Sequence, residues 1–354
     1  MNITIKKADK LKTKPNPNEL GFGKYLSDHM FMMDYSVDKG WYDPRIVPYQ
    51  SLYLDPAALV LHYNQEVFEG LKAYKLEKGG VGLFRPGKNI ERFNRSAERM
   101  AMPPVDPNVF MEGLRQLIMI DQDWIPNLPG TSMYIRPTMI ATEAALGVRA
   151  SKEYLFYIIV GPVGPYYPEG FAPTRIFVSD QYARAAEGGS GQAKTSGNYG
   201  PTIFVSQEVI KKGYSQVLWL DAKEKKYIEE VGTSNIFLLI DNELITPPLG
   251  GTILNGITRD SVKQLAKKWG YKVSERKISI DEVTEACKSN RLTEAFASGT
   301  AAVISPVGEF YYQSNNYIVN GGQTGQLSQR LFDTMMGIQY GQIEDENNWS
   351  LRID

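Results

Sequence analysis

The sequence predicts two α/β (α+β) domains joined by a linker that is rich in glycine, proline and aromatic residues. The chain has 354 residues, which is enough for about two domains of ~150 residues each. Short apolar strands alternate with amphipathic helices along most of this length. The stretch "GPVGPYYPEGFAPT" (161–174) has no hydrophobic period and marks a boundary. We therefore assign residues 1–162 to a smaller N-terminal domain, 163–174 to the linker and 175–354 to a larger C-terminal domain.

The predicted N-terminal domain begins with a polar lead-in, residues 1–20, which we expect to be loosely ordered. One helix begins near Lys88, and its apolar face carries residues at helical spacing, namely Ile90, Phe93, Ala97 and Met100. Asp106 caps a second helix, whose first residue is a proline. Alternation over 132–141 and the apolar run 154–160 predict two strands.

Helix and strand signals also alternate through the predicted C-terminal domain. A helix is expected from about residue 201 to residue 212, where Gly213 closes it, and another ends near Gly270. Two apolar segments separated by a polar turn predict a hairpin. The strands predicted in this domain cover residues 175–179, 216–220, 226–232 and 235–240.

Composition excludes several classes of function. The net charge is −1, so neither nucleic acid nor an anionic membrane is an expected partner. The longest apolar run, 154–160, is far shorter than the ~20 residues of a membrane helix, and without an N-terminal apolar segment we expect a cytoplasmic protein. The only cysteine, Cys287, excludes an internal disulfide and a cysteine-rich zinc site. With only His29 and His62, Ser-His-Asp chemistry is disfavoured and no metal site is expected.

The stretch "EGGSGQAKTSGNYGP" (187–201) contains a lysine that invites a functional explanation. It is close to a phosphate-binding P-loop, but Ala193 stands where that pattern has a glycine. No regular helix can begin directly after Lys194, because Thr-Ser-Gly-Asn-Tyr-Gly-Pro follows, so the P-loop interpretation is disfavoured. A solvated surface lysine is the plain alternative. The nearby aromatic residues Tyr199 and Phe204 favour a partly desolvated amine that can form a Schiff base with pyridoxal 5'-phosphate (PLP).

PLP would make two further demands on the chain. Its pyridine nitrogen needs a carboxylate, and Glu229 and Glu230 lie at the end of a predicted strand. Its phosphate needs backbone N–H groups at a helix start, which "LNGITRDS" (254–261) offers around Gly256 and Thr258. Each feature has an ordinary alternative, since glutamates at a hairpin end are usually solvated and glycine before a helix is common. The combination favours the cofactor more than any single feature does.

Several longer motifs occur in a recognisable order between residues 21 and 307, namely "LHYNQEVFEGLKAY", "LFRPGKNIERFNRSAERM", "YIRPT", "KTSGNYGPT", "EVGTSNIF", "GITRDS" and "SGTAAV". On these motifs the chain closely resembles the branched-chain amino acid aminotransferases, which have PLP fold type IV, the D-amino-acid aminotransferase-like fold. The resemblance implies a two-domain protein with the cofactor at the domain interface.

The resemblance also implies which residues bind PLP. It makes Lys194 both the Schiff-base lysine and the base that moves the proton between the substrate α-carbon and the cofactor carbon. Glu230, rather than Glu229, corresponds to the partner of the pyridine nitrogen, and Tyr199 to the tyrosine that hydrogen-bonds the phenolic oxygen. Arg92 corresponds to the phosphate arginine. The other cofactor contacts implied are Thr233, Ile257, Thr258 and Thr300.

The substrate side starts from Tyr134 and Arg136, which are two apart on a predicted strand and so point to one face. The resemblance places the tyrosine near the α-carboxylate and the arginine on the distal carboxylate of glutamate. It adds an aromatic wall, formed by Phe22, Phe68 and Tyr166. It also implies a carboxylate-binding turn at Ala301 and a homodimer in which the partner subunit contributes Tyr63. Because one buried methylene is worth only ~0.8 kcal/mol, we expect leucine, isoleucine and valine all to be used.

The predicted function is therefore reversible amino transfer between these three amino acids and 2-oxoglutarate by ping-pong half-reactions. Ala302 and Ser305 replace a Cys-x-x-Cys pair that animal members carry, so thiol regulation by that route is not expected. The alternatives are a D-amino-acid aminotransferase or PLP lyase of the same fold, a non-catalytic PLP- or amino-acid-binding protein, and a P-loop nucleotide-binding protein.

Overall fold

The computed structural model describes residues 2–166 and 171–354, which fall into two compact units. Unit 1 comprises Met1–Pro168, Ala193–Ser196 and Gly337–Asp354, and unit 2 comprises Glu169–Gln192 and Gly197–Met336. Residues 167–170 of the predicted linker lie outside the described part of the chain.

Helices and strands are mixed throughout. The strands are β1 (Thr4–Ile5), β2 (His29–Ser36), β3 (Gly40–Pro48), β4 (Glu66–Phe68), β5 (Leu71–Lys75), β6 (Val81–Phe84), β7 (Ser132–Ala141), β8 (Glu153–Val163), β9 (Thr174–Ser179), β10 (Gln216–Leu220), β11 (Ile228–Val231), β12 (Ser234–Ile240), β13 (Glu243–Thr246), β14 (Lys272–Glu275), β15 (Leu292–Gly299), β16 (Val303–Tyr312), β17 (Asn315–Ile318) and β18 (Ser350–Arg352). The helices are α1 (Leu59–Tyr63), α2 (Pro86–Arg99), α3 (Pro107–Ile120), α4 (Thr202–Lys211), α5 (Ile257–Lys268), α6 (Ile280–Lys288) and α7 (Gln326–Gln339). None of these helices combines the length and the apolar composition needed to cross a membrane.

Unit 1 is built on one sheet with the strand order β1-β3-β2-β8-β7-β5-β6-β18, and β4 pairs with β7. Aromatic rings fill the core between this sheet and the helices, with Phe93 and Phe110 each in contact with Phe156. Helix α3 approaches the sheet closely at Gly113, where a Cβ atom would lie 2.7 Å from the ring of Phe31. The sheet and this core form the rigid base for α2.

Both predicted helices of this region are confirmed, and their first turns explain where they begin. Pro86 and Pro107 occupy the first turns of α2 and α3, where a missing N–H costs nothing. The Asp106 side chain accepts hydrogen bonds from the backbone N–H groups of Asn108 and Val109. Three residues of the apolar face predicted for α2, Ile90, Phe93 and Ala97, are buried in the core, whereas Met100 follows the helix and is only partly buried.

Unit 2 contains the second sheet, with the order β11-β10-β9-β16-β15-β12-β13-β14, and β17 pairs with β16. Because β11 also pairs with β12, the six strands from β11 through β12 in this order close into a ring. Strand β9 is parallel to both β10 and β16, whereas β10 and β11 form the predicted antiparallel hairpin. The ring carries Glu230 on β11. Strand β13 pairs with the ring strand β12, and α5 is the next helix after β13.

The two units differ from the predicted domain boundaries at two places. Strand β18 pairs with β6, with Leu351 opposite Leu83, so residues 337–354 belong to unit 1 and not to the predicted C-terminal domain. Ala193–Ser196, which include the candidate lysine, also pack with unit 1. Both corrections arise from hydrogen bonds between residues far apart in sequence, which local patterns do not reveal.

The expectation of a loosely ordered lead-in is wrong. Strand β1 pairs in parallel with β3. Farther along, the backbone N–H of Ala8 donates to His29 Nε2 at 2.9 Å, and that of Lys12 donates to Asp28 Oδ1 at 2.7 Å. His29 Nδ1 in turn lies 2.7 Å from Asp121 Oδ1. Buried side chains therefore hold this segment, although its composition is polar.

Candidate active site

Lys194 is held in unit 1 by its backbone on both sides. Its N–H donates to Ser96 Oγ on α2 at 2.9 Å, and its carbonyl accepts from the N–H of Phe68 at 3.0 Å. The Nζ atom lies 4.5 Å from the centroid of the Phe68 ring. The lysine is therefore half-buried against an aromatic face, which agrees with a partly desolvated amine and not with a solvated surface residue.

Arg92 lies one turn before Ser96 on the same helix, and its guanidinium is bound by Glu69. Nε donates to Oε1 at 2.7 Å and Nη2 donates to Oε2 at 2.9 Å. Asn89 Nδ2 donates to the same Oε2 at 2.8 Å. The Glu69 side chain has no solvent exposure and that of Arg92 has 6%. The orientation of the guanidinium plane is thus fixed by a buried bidentate pair.

Glu69 is ionised in spite of complete burial. Burial by itself raises the pKa of this carboxyl. The charge and hydrogen bonds of Arg92, the charge of Lys194 and the hydrogen bond from Asn89 outweigh it, and together they hold the pKa below its ordinary value. Unit 1 therefore contains a buried carboxylate in electrostatic range of both the candidate lysine and the candidate phosphate arginine.

Tyr134 and Arg136 lie on one face of β7, as their spacing of two predicts, and Arg136 Nη2 donates to the Tyr134 hydroxyl at 3.1 Å. The Arg136 guanidinium lies over the ring of Phe68, 4.8 Å from its centroid. Arg136 Nε is buried and has no hydrogen-bond partner among the described residues. An unpaired buried N–H of a cation is a suitable donor for a carboxylate.

The aromatic wall extends from this pair. Phe22 contacts the rings of Tyr134 and Tyr166 edge to face, at centroid distances of 4.8 and 5.1 Å. Burial, and to a smaller extent Tyr134, raises the pKa of Tyr166, so its hydroxyl stays neutral near pH 7. Unit 1 thus brings together the predicted residues Lys194, Phe68, Arg136, Tyr134, Phe22 and Tyr166.

Tyr63 is not part of that cluster. It ends α1, is 36% exposed, and its hydroxyl donates to the carbonyl oxygen of Leu146. Apolar side chains close in sequence to Tyr63, or to Leu146 which it contacts, are exposed as well. We name this surface the α1 patch, and its members are Leu61, Tyr63, Leu146 and Val148.

Gly70 makes room for the Tyr134 hydroxyl. A Cβ atom at this position would overlap the hydroxyl oxygen and lie 3.0 Å from the Tyr134 ring carbon that carries it. The "FEG" sequence of the quoted motif therefore has three separate structural roles in unit 1. Phe68 faces the lysine, Glu69 holds the arginine and Gly70 admits the tyrosine.

In unit 2, Glu230 lies on β11 and is 3% exposed. Arg184 Nη2 lies 2.8 Å from its Oε2, and Asn235 Nδ2 donates to its Oε1 at 2.9 Å. Glu229 points to the other face of the strand and is also buried, and burial raises the pKa of its carboxyl. The alternative of solvated glutamates at this hairpin is therefore wrong.

Helix α5 begins at Ile257, after Gly256, which lacks a side-chain cap. A Cβ atom at Gly256 would overlap Asn235 Oδ1, so the backbone there approaches its neighbours as only glycine allows. Asn235 also donates to the Leu254 carbonyl at 2.9 Å and so joins the helix start to the Glu230 carboxylate. Thr258 is buried in the first turn. This turn has the form of an anion site.

The remaining predicted residues of unit 2 lie on turns. Tyr199 is half-buried, and its carbonyl accepts from Thr202 at the start of α4. Thr233 is exposed between β11 and β12, and Thr300 and Ala301 are half-buried between β15 and β16.

Sequence patterns did not identify five described side chains that contact these residues directly or, for Asn89, through Glu69, namely Glu69, Asn89, Ser96, Arg184 and Asn235. A signal existed for two of them, since Asn89 and Ser96 lie three before and four after Arg92 and so share its helix face. No comparable signal existed for Arg184, which lies in an irregular segment.

Comparisons with known proteins find similar chains of known family. The family described as amino-transferase class IV matches residues 66–310. Branched-chain-amino-acid aminotransferase 2 of Bacillus subtilis (strain 168) is 55% identical over 351 residues, which are 99% of this chain and 97% of the relative. A branched-chain amino acid aminotransferase of Escherichia coli superposes with a TM-score of 0.77 at 30% identity, covering 87% of this chain and 97% of that one. A second solved branched-chain amino acid aminotransferase, complexed with N-(5'-phosphopyridoxyl)-L-glutamate, superposes with a TM-score of 0.76 at 26% identity, covering 95% and 99%.

Proposed function

The chain belongs to the class IV amino-transferase family, and on that premise we propose that it transfers amino groups reversibly between leucine, isoleucine or valine and 2-oxoglutarate. The products are branched 2-oxo acids and glutamate, formed in ping-pong half-reactions. The observation that carries this proposal is the cluster in unit 1 that places Lys194, Phe68 and Arg136 side by side. Two relatives named branched-chain-amino-acid aminotransferase or transaminase, at 55% and 51% identity over nearly the full chain, support the substrate class.

The residues fit pyridoxal 5'-phosphate. The phosphate is a dianion, and the start of α5 offers backbone N–H groups beside a glycine with no capping side chain. A helix terminus contributes only roughly 0.3–1 kcal/mol to an anion, so Arg92 and the covalent link to Lys194 have to share the retention of the cofactor. Glu230 is a buried carboxylate suited to a protonated pyridine nitrogen. We propose that Tyr199, Thr233, Ile257, Thr258 and Thr300 complete the cofactor site.

The chain's own groups divide the work. The bound cofactor supplies an aldehyde carbon and an electron-withdrawing ring. Lys194 Nζ would hold the cofactor at its aldehyde carbon and would move the proton at the substrate α-carbon. Glu230, oriented by Arg184, keeps the ring nitrogen protonated. The Phe68 ring covers one side of the amine, with its centroid 4.5 Å from Nζ.

The substrate pocket has to accept an aliphatic side chain and a carboxylate in turn. The aromatic wall of Phe22, Phe68 and Tyr166 provides apolar surface, with Ala301 on the turn that binds the α-carboxylate. The buried Nε of Arg136, which lacks a partner among the described residues, is suited to the distal carboxylate of glutamate. A pocket of this kind distinguishes aliphatic chains by ~0.8 kcal/mol per methylene, so all three branched substrates are used.

We also propose a cytoplasmic homodimer in which the α1 patch is covered by a second copy and Tyr63 reaches the neighbouring site. Exposed apolar residues that lie together commonly mark such interfaces. The Tyr63 hydroxyl binds the Leu146 carbonyl, and Leu146 and Val148 are 68% and 83% exposed. A reducing compartment is compatible with the single thiol, because burial raises the pKa of Cys287 to about 12 and keeps it unreactive.

Absorbance and an amino-donor screen test the function. Purified protein should be yellow, and borohydride should trap the cofactor on Lys194. With 2-oxoglutarate as acceptor, leucine, isoleucine and valine should be donors and D-alanine should not. Lys194→Ala should abolish turnover and leave the fold intact, whereas the exposed Lys211→Ala should change neither. Colourless protein that added PLP cannot turn yellow, or steady turnover in Lys194→Ala, would overturn the proposal.

A further inference from the structure

Helix α2 presents a buried polar face to the inside of unit 1. Asn89, Arg92 and Ser96 follow one another at spacings of three and four and so lie on one side of the helix. Their exposures are 2%, 5% and 1%. Buried polar side chains need partners, and these three find theirs on two other segments, the turn after β4 and the short stretch Ala193–Ser196. One rigid helix therefore contacts both the arginine's carboxylate and the lysine.

Lys194 makes a hydrogen bond to a side chain, that of Ser96, and a hydrogen bond to the backbone, that of Phe68. The Lys194 carbonyl is bound by a backbone N–H, that of Phe68 at 3.0 Å. The Lys194 N–H is bound by a side chain, Ser96 Oγ at 2.9 Å, from a residue 98 positions away. A single substitution can therefore remove the second bond and leave the backbone contact in place.

The segment that carries Lys194 is irregular, and only four of its residues belong to unit 1. Ala193–Ser196 pack with unit 1, and the chain on either side of them belongs to unit 2. The regular structure nearest to the lysine is a single 3₁₀ turn, Ser196–Asn198. In an irregular segment, the position of a residue depends on specific contacts such as the one from Ser96.

We propose that Ser96 is a positioning residue for Lys194. Its hydroxyl fixes the Lys194 main chain relative to Arg92, one turn away on the same helix, and so fixes the amine relative to the phosphate arginine. The inference rests on the proposed role of Lys194 as the amine that bonds the cofactor and moves the proton. Ser96 contacts the lysine main chain and none of the reacting atoms, so it acts through Lys194.

This geometry predicts how kcat and KM change when the Ser96 hydroxyl is removed. Without the Ser96 hydroxyl, a part-buried N–H loses its acceptor, and the segment shifts until the N–H finds another. A displacement of about 1 Å at a catalytic group lowers the rate by up to roughly 10²-fold. Tyr134 and Arg136 are held by the pairing of β7 with β5 and β8, which does not involve Ser96. Loss of Ser96 should therefore reduce kcat and leave the KM values for donor and acceptor nearly unchanged.

The test compares three variants of the full chain. Ser96→Ala removes the acceptor, and Ser96→Thr retains a hydroxyl at the same place. Ser328→Ala is the matched control, because Ser328 is also 1% exposed on a helix and its hydroxyl donates to Glu294 Oε2 at 2.8 Å. Each protein is assayed for kcat, KM and thermal stability. The exchange rate of the Lys194 amide hydrogen is measured in the apoprotein, which reports the bond without cofactor or activity.

The expected result is a kcat roughly tenfold lower in Ser96→Ala, with KM within about twofold. The Lys194 amide should exchange at least about tenfold faster, and Ser96→Thr should restore both. Ser328→Ala should change stability only. If Ser96→Ala keeps the wild-type kcat and amide protection, or loses stability alone as Ser328→Ala does, the proposal is wrong. A wild-type protein without transaminase activity would instead contradict the proposed function. Even then, unchanged amide exchange in Ser96→Ala would show that Ser96 does not hold the Lys194 N–H.

Discussion

Glu69 binds Arg92 through both carboxylate oxygens, with Nε 2.7 Å from Oε1 and Nη2 2.9 Å from Oε2. Neither side chain is accessible enough to be solvated. A buried carboxylate in such a pair orients the guanidinium, and any phosphate contact of Arg92 has to come from its other edge. In this pair of unit 1 the carboxylate orients the arginine. In the pair of Arg184 and Glu230 in unit 2 the arginine orients the carboxylate.

Glu69→Gln should lower stability in a pH-dependent way. The folded pKa of Glu69 is below its ordinary value, so its charge stabilises the fold above the unfolded pKa of ~4.3. That contribution is lost as pH falls through the lowered folded pKa. Removing one partner of a buried pair costs about 3–5 kcal/mol. Urea unfolding of the apoprotein should show this deficit near neutral pH, and the deficit should shrink on acidification to about pH 3.5.

The control for Glu69→Gln is Glu309→Gln. Glu309 also binds an arginine with both oxygens, Arg175 at 3.1 and 3.2 Å, but Arg175 is 49% exposed. An exposed pair is worth about 0–1 kcal/mol, so this variant should be nearly neutral. A deficit for Glu69→Gln that stays constant across the acid range would show that the charge of Glu69 does not contribute.

Gly70→Ala should impair substrate binding more than folding. The added Cβ would overlap the Tyr134 hydroxyl and displace it, and the hydrogen bond from Arg136 would be lost. The KM for 2-oxoglutarate should rise roughly tenfold, because a hydrogen bond to a charged group is worth about 1.5 kcal/mol or more. Gly87→Ala on α2 meets no atom within 4 Å and should leave KM unchanged. Equal KM values in the two variants would contradict the role of Gly70.

Arg184 and Glu230 should be strongly coupled in a double-mutant cycle. Arg184→Met leaves the buried Glu230 carboxylate without its cation and should cost about 3–5 kcal/mol of stability. The same change in a Glu230→Gln background should cost much less, because no uncompensated charge remains. Chemical unfolding of the four apoproteins gives the coupling energy. Additive costs would mean that the 2.8 Å pair carries no specific interaction.

Val148→Asp should separate the proposed dimer. Val148 is 83% exposed in the α1 patch, so a carboxylate there leaves the folded subunit intact. Burying that charge against a second copy is unfavourable, and sedimentation should show a shift from dimer to monomer. Ile318→Asp, at an exposed apolar position on β17, is the control and should sediment as the wild type does. A Val148→Asp protein that remains dimeric would place the interface elsewhere.

Much of the fold could be predicted because its signals are local. The start of α3 at Pro107 depends on the Asp106 cap, the position of β7 follows from alternation, and that of β10 follows from an apolar segment. The C-terminal strand β18 could not be predicted in this way. Its three residues carry no pattern of their own, and they form a strand because β6 offers an open edge.

The site divides in the same manner. Tyr134 and Arg136 could be paired in advance, since a spacing of two on a strand gives one face. Glu69 could not be matched to Arg92, because the two residues are 23 positions apart and belong to different elements. The lysine was identified from its sequence neighbours, yet its aromatic contact in unit 1 is Phe68, which is distant in sequence.

The sequence by itself determined the chemistry of this protein: the lysine in its glycine-rich turn, the glutamate before "VGTSN", the helix start at "GITRDS" and the order in which these motifs occur. Only the tertiary structure decided which side chains form hydrogen bonds with Lys194 and with Arg92. Ser96 reaches Lys194 and Glu69 reaches Arg92 because sheet pairing and helix packing close long loops and bring distant segments together. Hydrogen bonds and charges act over a few ångströms of space, irrespective of sequence separation, so local pattern cannot assign their partners.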